Sequence, residues 1–120
     1  MIPIALAFAV NVAVTWTLVV LFARDAPPMA EVYGSDAPAR RILGCLYGAI
    51  GLVSVIGLGL MATGRPEAAA TLAVGLFPVQ IAYKLATAPT VGLRHPVVQA
   101  NLAITVLLVP AWLAALGVAG

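Results

Sequence analysis

Charged side chains are nearly missing from this sequence. Of its 120 residues only 8% are Asp, Glu, Lys or Arg, where soluble domains carry about a quarter. That is too few to cover a water-facing surface. Histidine and cysteine are scarcer still, with one of each, His95 and Cys45. A lone cysteine permits no intrachain disulfide and no Cys-x-x-Cys pair, which excludes thiol–quinone exchange. A bis-histidine haem lacks its second histidine, and a structural or catalytic zinc lacks ligands. No acidic residue falls inside a long apolar run, so carboxylate-based proton coupling has no carrier. Ser54 has no companion base within such a run. Neither a cofactor nor an enzymatic activity is therefore expected. Also absent is a basic stripe with interleaved aromatics, so the net charge of +2 and the pI near 9.1 carry no nucleic-acid signal.

What is present is hydrocarbon. Hydrophobic residues make up 63% of the chain, and mean hydropathy is +1.12. A membrane-spanning helix needs about 20 predominantly apolar residues. Four segments meet that length, at about 3–23, 42–62, 69–89 and 97–117, and only the third contains a charge, Lys84. Alternating strand patterns are missing, which argues against a β-barrel. The first segment is read as a span and not as a cleaved leader, because its first basic residue, Arg24, follows the apolar run instead of preceding it. The predicted fold is all-α, one integral membrane domain of four transmembrane helices running up-down-up-down. Its two later connections, 63–68 and 90–96, are short, so the helices they join are antiparallel neighbours. Residues 24–41 form the one sizeable segment outside the spans. Within it, Met29–Tyr33 is predicted to form one or two helical turns on the membrane surface.

The charges also predict orientation. Arg24, Arg40, Arg41, Lys84 and Arg94 lie toward one end of the four segments, and Arg65 alone lies toward the other. Basic residues near span ends stay in the cytoplasm. Loop 24–41 is therefore expected to be cytoplasmic, with both termini outside. Richness in Ala, Gly, Val and Leu fits a GC-rich bacterial genome, hence a bacterial inner membrane.

Helices in lipid associate through close backbone contact and interhelical hydrogen bonds, because lipid tails are as apolar as leucine. In the second segment Gly44, Gly48, Gly51 and Gly59 are predicted to form one smooth packing face against a helix of the same chain, with a dimer interface as the alternative. Pro78 and Pro110 interrupt the third and fourth segments and favour kinks. The intramembrane polar residues are the candidate site. At 1.5 Å per residue, Lys84 and Asn101 each sit roughly 7–8 Å inside the boundary, and Gln80 and Thr105 sit one turn deeper. Each pair is spaced i, i+4, so Gln80, Lys84, Asn101 and Thr105 are predicted to cluster between the third and fourth helices. The favoured reading of Lys84 is snorkelling toward headgroups, ahead of a substrate or ion site. The units Asn11-Val-Ala-Val-Thr15 and Asn101-Leu-Ala-Ile-Thr105 match at their polar positions. Arg40, Arg41, Arg94 and His95 are candidate contacts for anionic lipid headgroups.

Length and span count are similar to those of the small multidrug resistance family. That family's first-helix glutamate has no counterpart among residues 1–23, so the resemblance stops at size. The favoured function is an accessory or assembly subunit of a larger membrane complex, with membrane lipids and other membrane subunits as partners. A small oligomeric transporter or channel working through Lys84, and a lipid-interacting factor, are the alternatives.

Overall fold

The computed structural model describes all 120 residues. It contains five helices and no strand: α1 Ile2–Ala23, α2 Pro27–Tyr33, α3 Pro38–Ala62, α4 Pro66–Val91 and α5 Pro96–Ala119. Four of them, of 22 to 26 residues, are long and apolar enough to cross a bilayer. α4 is the least apolar, with a hydropathy of 1.4 against 2.1 to 2.3 for the others. The short α2 is the surface helix expected between the first two spans.

Every helix opens with a proline at its first or second position. Proline's fixed φ and missing N–H suit a first turn, whose donors have no intrahelical partner. α3, α4 and α5 consequently start at Pro38, Pro66 and Pro96, three to four residues or one residue before their apolar runs, and α4 continues through Pro89 to Val91. The helical backbone outlasts the hydrocarbon because its own ladder satisfies it in water as in lipid. Pro78 and Pro110 lie within unbroken helices. α4 stops at Gly92, whose φ of +113° suits a residue without a Cβ.

Only 24 of the 120 residues are buried. Large apolar side chains face outward along every span, among them Ile42 at 70% exposure, Val79 at 63% and Val106 at 76%. A surface of that kind requires an apolar solvent, and the chain is a multi-pass membrane protein.

The four spans form a ring in which α1 packs closely on α3, and α4 on α5. Looser seams join α3 to α4 and α1 to α5. α1 and α4 therefore face each other across the diagonal. The end of the bundle that carries the termini holds a ten-residue apolar core, built on Ile4, Ala7 and Phe8 of α1, Ala69, Ala70, Ala73 and Phe77 of α4, and Leu108, Ala111 and Ala115 of α5. Phe8 and Phe77 meet on the diagonal, with ring centroids 5.0 Å apart.

The glycine face of α3 packs against α1 of the same chain. A Cβ at Gly44 would lie 3.1 Å from the Phe22 ring, one at Gly48 3.7 Å from Val19, and one at Gly51 2.5 Å from Thr15 Oγ1. Gly59 does not belong to this face, because nothing lies within 4 Å of its Cβ position. Its place is taken by Gly57, where a Cβ would lie 2.6 Å from the Phe8 ring. The buried row on α3 runs Tyr47, Ile50, Gly51, Ser54, Gly57. Its steps of three from Gly51 through Ser54 to Gly57 carry the contact line away from Gly59, which lies two residues beyond Gly57 and so about 200° around the helix.

Candidate functional site

The inward stripes of α1, α4 and α5 recur every three or four residues. They are apolar toward the termini and polar toward the loops. On α1, Ile4, Ala7 and Phe8 give way to Asn11 and Thr15. On α4, Ala73 and Phe77 give way to Gln80 and Lys84. On α5, Ala111 and Leu108 give way to Thr105 and Asn101. The bundle is thus divided lengthwise into a dry half and a polar half.

The boundary layer is a reciprocal amide pair across the diagonal. Asn11 Nδ2 donates to Gln80 Oε1 at 2.8 Å, and Gln80 Nε2 donates to Asn11 Oδ1 at 3.1 Å. One turn closer to the loops, Lys84 Nζ donates to Asn101 Oδ1 at 3.1 Å. Asn101 Nδ2 in turn donates to Thr87 Oγ1 at 3.3 Å. Thr15 and Thr105 take no part in these links. Each returns its hydroxyl to the carbonyl four residues back, on Asn11 at 2.6 Å and on Asn101 at 2.8 Å. The two Asn-x-x-x-Thr units therefore do the same work. In each, threonine bonds the asparagine backbone, which leaves the amide side chain free to serve a polar residue of α4.

Of the predicted cluster, Lys84 and Asn101 meet as expected. Gln80 turns to α1 instead of α5, and Thr105 bonds its own helix. Asn11 was missed as a member of the site, although it lies twelve residues before Ala23 and Gln80 lies eleven before Val91. That equal depth was a signal available from the helix ends. Lys84 does not snorkel. Its residue is 5% exposed and points into the bundle, because Asn101 and the Tyr83 ring, 5.0 Å from Nζ, give the ammonium polar company inside.

Lys84 has no carboxylate partner, for every ion pair in the molecule involves Arg40 or Arg41. An ammonium carries three donors, and Asn101 accepts one of them. Beside it lies a small chamber of about 40 Å³, walled in part by Asn11, Gln80, Lys84 and Asn101. The chamber shares Tyr33, Tyr47, Tyr83, Val97 and Asn101 with a vestibule of about 260 Å³ at the loop end. Toward the termini the site is closed by the Asn11–Gln80 pair and then by Phe8 and Phe77. No cavity lies within the apolar core beyond them.

The candidate headgroup residues separate. Arg40 is 3% exposed. It donates to Asp25 at 2.6 Å and to the Gly34 carbonyl at 3.1 Å, and its guanidinium lies 5.6 Å from the Phe22 ring centroid. It clasps both ends of the α1–α3 connection and is not available to a lipid, because Asp25 and Asp36 compensate its charge within the chain. Asp25 holds the one positive φ outside glycine, +49°, at that turn. Arg41 is exposed and makes a two-pronged pair with Asp36, both bonds at 3.0 Å. That bond holds the Asp36 carboxyl below the usual carboxylate range. Arg94 is exposed and makes no ion pair. His95 accepts the Val97 N–H at Nδ1 and caps α5. Tyr33, of α2, packs edge-on to Phe22 and Tyr47 over the vestibule, and burial raises its phenol.

The molecule has three further recesses, one of them a shallow hollow of about 370 Å³ on α1 walled by Trp16, Thr17, Val20 and Leu21. A crevice of about 450 Å³ between α1 and α3 is lined by Gly44, Cys45 and Gly48 and by Arg41, whose charge Asp36 already meets. A groove of about 420 Å³ follows the α3/α4 seam, where six of its walls are Leu46, Ala49, Ile50, Val53, Leu76 and Val79. None of the three contains an uncompensated charge, which makes the Lys84 chamber the strongest candidate despite its size.

These features define a helical-bundle membrane protein with a one-sided interior polar site. Comparison with protein families, with curated proteins and with solved structures found no match.

Proposed function

We propose that this chain is a non-enzymatic accessory subunit of a larger membrane complex, and that its bundle holds a ligand instead of passing one. The observation that carries this reading is the blind end of the polar site. A pore needs polar lining from face to face, whereas here an amide pair and an apolar core stand below Lys84. The open groove on the α3/α4 seam supports assembly, since an apolar groove at a helix–helix seam suits a neighbouring helix. The test is purification from native membranes in mild detergent, with identification of co-purifying proteins. A stable heteromeric complex that Ala49→Trp disrupts supports the proposal. A lone homo-oligomer overturns it.

The inward Lys84 favours a second reading, a small transporter in which the Asn11–Gln80 pair parts during turnover. Loss of anion flux in Lys84→Ala with assembly intact would select it over the first. For orientation, we infer that the loop end faces the cytoplasm of a bacterial cell and both termini face outward. Arg24, Arg40, Arg41, Lys84 and Arg94 lie toward that end, and Arg65 precedes α4 at the other.

A further inference from the structure

We propose that the Lys84 chamber and the vestibule above it form a binding site for a small monocarboxylate with an apolar body. The inference rests on the reading that the bundle holds a ligand, and it names the class. Three observations converge on it. Lys84 is nine-tenths buried, aimed into the chamber, and without a counter-charge. A buried ammonium is stabilised by an anion that also accepts its remaining N–H groups. One positive charge calls for one negative charge, so a dianionic phosphate would leave an excess inside the membrane.

Size supports the same choice. At about 40 Å³ the chamber admits a group of a few water-sized atoms, such as a carboxylate. The apolar body is called for by the vestibule. Its walls are mostly apolar, with Leu43, Val91 and Val98 among them, and it shares the three tyrosine side chains with the chamber beside it. Its volume of about 260 Å³ lies near the lower end of ordinary ligand pockets, about 300 Å³. A short or medium apolar chain, or a single ring, matches that space.

The experiment uses the full chain in nanodiscs of phosphatidylcholine. Binding of labelled octanoate is measured by equilibrium dialysis against empty nanodiscs, with acetate, chloride, octanol and palmitate as parallel probes. Octanoate is expected to bind saturably, one per chain, and better than acetate, chloride or octanol. Lys84→Met, which keeps the length and removes the charge, should weaken octanoate roughly tenfold to a hundredfold, the range for a hydrogen bond to a charged group. Leu43→Trp, which fills the vestibule without touching Lys84, should weaken octanoate and spare acetate. Palmitate, whose tail exceeds the vestibule, is expected to bind more weakly than octanoate; tighter binding would overturn the short or medium apolar body and point to an acyl chain reaching in from the bilayer. If acetate or chloride binds through Lys84 as tightly as octanoate, the apolar body is wrong, while the ligand-holding reading stands. If octanoate binds equally well to Lys84→Met, or no anion binds the wild type, the assignment of the site is overturned, and in the second case the ligand-holding reading falls with it.

Discussion

Two side chains illustrate how hydrocarbon sets the value of a polar contact. Asn11 and Gln80 satisfy each other with two hydrogen bonds near the middle of their helices. Removing one partner strands the other in an apolar interior, which costs about 1–3 kcal/mol. Asn11→Leu should therefore destabilise the bundle by about that amount, and adding Gln80→Leu should recover much of it. The coupling from the full double-mutant cycle should be about 0.6–1.7 kcal/mol, because the unfolded chain in lipid also finds partners. Unfolding in mixed detergent micelles measures all four proteins. The arginine pair behaves in the opposite way. Arg40→Ala breaks a buried clasp and should speed hydrogen exchange across α2, with a loss of about 1 kcal/mol once the exposure of Asp25 is discounted. Arg41→Ala should leave the same amides unchanged, since its pair with Asp36 is exposed.

α3 is the element whose register matters most. Its close approach to α1 relies most on Gly51 and Gly57, where an added Cβ would lie 2.5 Å from Thr15 Oγ1 and 2.6 Å from the Phe8 ring. Gly57→Ala would set a methyl 2.6 Å from the Phe8 ring, and that ring is fully buried against Phe77. Overpacking of this kind costs about 1–3 kcal/mol. Gly59→Ala meets open space and should be neutral or stabilise the helix by up to about 1 kcal/mol. Thermal unfolding of the two variants in one detergent distinguishes them, and equal behaviour would show that the α1–α3 seam lies elsewhere. The connection before α3 carries its own pH dependence. Asp36 has its carboxyl held below the ordinary range by Arg41, so the charged form is favoured in the folded loop. Its contribution is complete above the ordinary carboxylate value, about pH 4, and disappears as pH falls through the lower folded value. Protection factors around residues 34–37, which remove the intrinsic pH dependence of amide exchange, should be flat from neutral pH down to about 4 and fall between there and the lower folded value.

The whole molecule is polarised along its axis. One end is an alanine-rich core sealed by two phenylalanines, and the other contains every charged side chain except Arg65 and Glu67, the three tyrosines, and the Lys84 chamber with its vestibule. A reporter fused after Gly120 that works only in the cytoplasm should stay silent. A bright signal would invert the bundle and place the vestibule outside the cell. The same polarity makes the loop end the one from which a ligand reaches Lys84. Quenching of tyrosine fluorescence by a water-soluble agent should therefore be stronger in inside-out vesicles than in right-side-out ones.

Much of this architecture is legible in one dimension. The four spans follow from segment length and hydropathy, because bilayer thickness and the need to satisfy backbone polar groups act on each segment by itself. The Lys84–Asn101 contact is legible too, since a short loop fixes the relative depth of two antiparallel helices. The helix starts at Pro38, Pro66 and Pro96 were readable from the preference of proline for a helix's first turn. What the residues alone leave open is azimuth. Whether Gln80 turns to α5 or across to Asn11, whether Lys84 faces lipid or the interior, and whether Gly57 or Gly59 meets α1 all depend on how each helix is rotated about its axis. A helix that is apolar on every side has no water to orient it, so that rotation is decided by contact with the other three.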